Sequence, residues 1–86
     1  MKTLTEMALA VMKRFELTES DVTGRFMGIE PPVMPYEYSF YIGGGKMVHL
    51  YCDAKVFYVE FHGAAEKCAT EADVFDSLEK FRKAAT

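Results

Sequence analysis

The sequence predicts an α+β fold: a two-layer sandwich of helix, three-stranded antiparallel meander and helix, with both helices on one face of the sheet. Three observations predict it. Apolar residues recur at helical spacing near each end of the chain, from Leu4 to Phe15 and from Val74 to Phe81. Between them lie three short segments rich in aromatic and β-branched residues. The breaks between those segments are so short that only hairpins can join them, which makes the strands antiparallel.

The first element starts at Thr3. Thr3 and Glu6 have capping-box spacing, and Leu4, Met7, Ala8, Val11, Met12 and Phe15 then form one apolar stripe. Lys13 and Arg14 sit near the carboxyl end, where cations suit the helix dipole. Residues 17–35 are the least regular stretch. Thr18 and Asp21 suit the cap of a helical turn over Val22, Arg25 and Phe26; the alternative is a short edge strand at 22–29, interrupted by Gly24 and Gly28. Pro31, Pro32 and Pro35 then demand an extended connection.

The meander follows. Its first strand is Tyr36 to Ile42, ended by Gly43-Gly44-Gly45. The second is Lys46 to Cys52, followed by an Asp53-Ala54 turn, and the third is Lys55 to His62, closed by Gly63. Residues 64–69 are expected to bridge strand and helix. The second helix starts with Thr70 and Asp73 at cap spacing, carries Val74, Phe75, Leu78 and Phe81 as its stripe, and ends on Arg82 and Lys83.

Strand alternation divides the side chains between two faces. Pairing Ile42 with Lys46 and Cys52 with Lys55 puts Tyr36, Tyr38, Phe40, Ile42, Val48, Leu50, Cys52, Phe57, Val59 and Phe61 on the core face. Glu37, Ser39, Tyr41, Met47, His49, Tyr51, Val56, Tyr58, Glu60 and His62 fall on the other. Two helices cover only one face. The outer face is therefore expected to be an aromatic contact surface, to be covered by residues 17–35, or to be a solvated face that tyrosines simply decorate.

Size and composition fit a single domain spanning residues 1–86. Seven Phe and five Tyr give enough apolar surface for one core, although so small a domain buries only roughly 60–65% of its unfolded surface. The formal charge of −3 comes from intermixed acids and bases, without the basic footprint of a nucleic-acid binder. Cys52 and Cys68 are too few and too widely spaced for a disulfide scaffold or a zinc site, and suggest free thiols in a reducing cytoplasm. No signal peptide or membrane span is readable.

No motif names a reaction. An odd spacing puts His49 and Cys52 on opposite faces, so they form no nucleophilic dyad. His49 and His62 share a face but stand too far apart for one ion, and no metal or cofactor is expected. His49, Tyr58 and Glu60 form a possible proton-transfer trio, but on an open sheet rather than in a pocket. Gly43-Gly44-Gly45-Lys46 precedes a strand, whereas a phosphate loop precedes a helix. Prolines stand where a helix-turn-helix would need its recognition helix. The order helix–three strands–helix resembles the double-stranded RNA-binding domain in element order alone. The start of the second helix, Glu71-Ala72-Asp73, lacks that family's basic grip on phosphate.

The expectation is a non-enzymatic interaction module acting through Tyr41, Met47, His49, Tyr51, Tyr58 and Glu60, with a second copy of the chain as the first partner. The alternative is a small-molecule binder with its site between the sheet and the Pro-rich segment 29–36, near Met34, Tyr36 and Tyr41. A small chain without motifs also has the character of an accessory protein of a mobile element, a phage or an integron cassette.

Overall fold

The structure, a computed structural model, describes residues 3–27, 34–43, 46–53 and 56–85. Helix α1 (Leu4–Phe15) is followed by a 3-10 turn (Glu19–Asp21) and strands β1 (Val22–Met27), β2 (Met34–Gly43), β3 (Lys46–Asp53), β4 (Val56–Phe61) and β5 (Ala64–Cys68); helix α2 (Glu71–Ala85) closes the order. The sheet has five strands in the order β1-β2-β3-β4-β5, each antiparallel to its neighbour.

The three-stranded meander therefore gains a strand at each edge. Of the two readings of 17–29, both hold in part: Thr18 and Asp21 cap a single tight turn, and β1 follows as an edge strand. Gly28 and Ile29, with Pro31 and Pro32, lie outside the described residues. The stretch 64–69 is not a mere bridge, since its first five residues form β5. His62 and Gly63 both have positive φ, 53° and 81°, between the paired Phe61 and Ala64. That is the geometry of a two-residue turn whose twist matches the strands it joins. With five strands, the likeness in element order to the double-stranded RNA-binding domain is lost.

Local signals explain the helix starts. At α1, the Glu6 amide donates to Thr3 Oγ1 (3.1 Å) and the Thr3 amide donates to Glu6 Oε1 (2.9 Å). At α2, Thr70 and Asp73 exchange the equivalent bonds at 3.1 and 3.2 Å. Both helices cover one sheet face. Leu4, Met7, Ala8 and Val11 from α1 and Val74, Leu78 and Phe81 from α2 share one core with Phe40, Val48, Leu50, Phe57, Val59 and Phe61. Tyr38, on the same face, ends in a hydrogen bond between its hydroxyl and that of Thr5 (3.0 Å).

The helices are joined at the carboxyl end of α1. Phe15 meets Phe75 edge to face, the Arg82 guanidinium lies 5.2 Å from the Phe15 ring centre, and Glu79 pairs with both Arg82 and Arg14. On the other side of the core, α2 anchors β5. Ser77 donates to Glu66 Oε1 (2.7 Å), Lys80 pairs with Glu66 Oε2, and the buried Cys68 thiol lies 3.6 Å from Ser77 Oγ. Those bonds hold the Glu66 carboxyl below its ordinary range, Lys80 first and Ser77 second, and burial pushes the Cys68 thiol up.

Candidate functional site

The register places the outer face in transverse rows. Arg25, Glu37, Tyr51, Tyr58 and Lys67 are successive partners across all five strands. Thr23, Ser39, His49, Glu60 and Ala65 make the next row, and Tyr41 pairs with Met47 beyond it. The pairs Tyr38–Leu50 and Phe40–Val48 stand where the sequence put them, while Gly43, not Ile42, opposes Lys46. Between β3 and β4 the expected register is two residues out: Cys52 opposes Phe57, not Lys55, and Leu50 opposes Val59. An even slip keeps every side chain on its face and changes only its partner. The consequence is local but decisive: His49 faces Glu60 instead of Tyr58, and Tyr51 faces Tyr58.

Tyr51 and Tyr58 consequently stack at the middle of the face, ring centres 5.3 Å apart and planes inclined by 14°. Met47, His49, Val56 and Glu60 around them are half-buried, and Tyr41 is exposed. Partial burial, then the charges of Glu60 and the other neighbours Tyr58, Glu37 and Asp53, raise the Tyr51 phenol above its ordinary value. Among the described residues no element lies over this face. Of the segment 17–35 expected to cover it, Val22–Met27 extends the sheet at its edge instead, and residues 28–33 lie outside the described residues.

His49 is the best-positioned polar group of the face. Its Nδ1 lies 2.8 Å from Ser39 Oγ and 3.8 Å from Glu37 Oε2. Serine, histidine and glutamate together invite comparison with a hydrolytic triad, but the chemistry fails on connectivity. A relay needs the acid and the hydroxyl on opposite ring nitrogens, whereas here both address Nδ1. Ser39 is also only 2% exposed, out of reach of a substrate. Ser39 hydrogen-bonds the imidazole, and Glu37 stands within ion-pair range of the same nitrogen, an arrangement that orients the ring on the sheet. Ser39, buried and polar, was the partner that sequence reasoning missed; alternation had put it beside His49, but nothing in the sequence marks it as sunk between Thr23 and His49.

Two other sequence-predicted placements change. His62 leaves the outer face for the turn, its ring against the edge of Phe61 (4.2 Å between centres). Cys52, expected in the core, is exposed at the end of β3. The small-molecule site is not assembled by the described residues. Strand alternation sets Tyr36 on the helix side and Tyr41 on the open side, both largely exposed, and the Pro31-Pro32 wall lies outside the described residues. An open groove does run between the helices, lined by Leu9, Ala10 and Phe75 with Glu6, Glu71, Lys13 and Arg14 around them. It gathers charges of both signs and no nucleophile.

Among the described residues, no three His, Cys, Asp or Glu side chains gather as a metal ion requires, and no helix is long and apolar enough to cross a membrane. Comparison with protein-family models, with curated proteins and with solved structures finds no match.

Proposed function

We propose that the protein is a non-enzymatic interaction module that takes up a protein partner on the outer face of its sheet, in the first place a second copy of itself. One observation carries the reading: the stacked Tyr51–Tyr58 pair, with Met47, Val56 and Tyr41 about it, stands on a face that no described element covers. Tyrosine suits such a role because it brings a large apolar body and a polar tip at small entropic cost. Among the described residues His49 stands on an open sheet surface, which favours binding over catalysis. Free thiols, Cys52 exposed and Cys68 buried, fit a reducing cytoplasm.

Sedimentation equilibrium from low to high micromolar concentration tests the reading. The wild-type chain is expected to reach twice its monomer mass, and Tyr58→Glu to remain a folded monomer, because it sets a carboxylate against an apolar partner. A Tyr58→Glu protein that dimerises as tightly as wild type would refute this face. A wild-type chain that stays monomeric would refute self-association.

A further inference from the structure

We infer that two copies pack their open faces about a two-fold axis lying between β3 and β4 and running nearly along the strands, so that Glu37 of each copy meets Lys67 of the other. The inference rests on the self-association proposed above, and it adds the partner's orientation and the residues that select it.

The case is one of charge order along the rows. Such an axis keeps each row at its height and reverses it from left to right. In the first row, Glu37, Tyr51, Tyr58 and Lys67 occupy β2 to β5 in turn. Reversal lays Tyr51 on the partner's Tyr58, and Glu37 on the partner's Lys67. In the next row, His49 and Glu60 occupy β3 and β4, so reversal lays His49 on the partner's Glu60. The first row thus matches aromatic with aromatic and acid with base, and the second matches acid with base. A two-fold axis across the strands gives nothing comparable, because it lays Glu37 on Ser39 and Lys67 on Ala65. Stacked sheets align their strands to within about 30°, which the nearly parallel axis satisfies.

Size agrees with a reversible dimer. At about 4.8 Å between strands and about 3.3 Å per residue, the overlapping strands β2 to β5 measure roughly 19 by 20 Å, so two faces bury on the order of 800 Å² in all, the size of a weak and reversible contact. An interface of that size gains its specificity from charge order more than from area.

The test exchanges the charges. Glu37→Lys and Lys67→Glu are made separately, checked for folding by circular dichroism, and weighed by sedimentation equilibrium alone and as an equimolar mixture. Each alone places like charges face to face twice and is expected to dimerise roughly tenfold or more weakly than wild type. The mixture restores two opposite-charge pairs and is expected to dimerise close to wild type. Should Glu37→Lys not fold, Glu37→Gln replaces it, and its mixture with Lys67→Glu must associate more tightly than Lys67→Glu alone. A dimeric wild type with unaffected single variants, or with a mixture no tighter than its components, overturns this orientation and leaves the proposed face standing. A monomeric wild type overturns both.

Discussion

Leu50 and Tyr51 are neighbours in β3 and belong to different worlds. Leu50 is fully buried beneath the helices, its surroundings supplied by the chain itself. Tyr51 is half-buried on the open side, stacked on Tyr58 and with no described element above it. The same contrast holds along β2, where Phe40 is fully buried and Tyr41 is 45% exposed. The helix-covered face contains the apolar contacts that fold the domain. The open face carries apolar area that no described element covers, and this is the area assigned to the proposed partner.

The contrast is broken or sharpened most strongly by truncating the two neighbours. Leu50→Ala is expected to lose about 3–5 kcal/mol, a large share of the stability of a domain of this size. Tyr51→Ala is expected to cost the monomer no more than about 1 kcal/mol, the scale of one cross-strand aromatic pair, while weakening the proposed dimer severely. Urea unfolding at a concentration below the dimer's dissociation constant separates the two. Equal losses would mean that Tyr51 belongs to the core and that the open face is not surplus.

The division of the faces was legible in the sequence because alternation is robust to error. The β3–β4 register was placed two residues away from its true one, yet Leu50, Phe57 and Val59 still came out inside and Tyr51 and Tyr58 outside. The partners across β3 and β4 were not legible, and the tyrosine stack is a matter of those partners. The edges were hidden for another reason. β5 reads Ala-Ala-Glu-Lys-Cys, residues that disfavour strands, and it pairs because the His62-Gly63 turn delivers it to β4 and because α2 holds Glu66. The one available signal was a two-residue X-Gly break after an alternating strand. The helix caps, in contrast, were written in adjacent residues and appear as expected.

Those caps give the next effect down. Thr3→Ala removes the acceptor for the Glu6 amide and is expected to cost about 1 kcal/mol, leaving dimerisation unchanged because α1 lies on the covered side. A thermal melt and a sedimentation run on one sample check both halves. A change in dimer affinity would show that the two faces are coupled through the sheet.

The smallest expected effect concerns the edge where covered and open faces meet. Glu66 faces α2, while its neighbour Lys67 faces outward toward the proposed partner. The Lys80 and Ser77 bonds lower the Glu66 pKa in the folded state. A lowered folded pKa adds stability that is present above the ordinary unfolded value of about 4.3 and lost as pH falls through the folded value. Because the carboxylate is partly solvated, the gain is under about 1 kcal/mol. Glu66→Gln is therefore expected to be slightly less stable than wild type at neutral pH and equal to it in acid, as measured by urea unfolding across that range. A gap that persists in acid would mean that Glu66 holds β5 by shape rather than charge. Lys67 would then be positioned by backbone pairing with Tyr58 alone, without electrostatic help from α2.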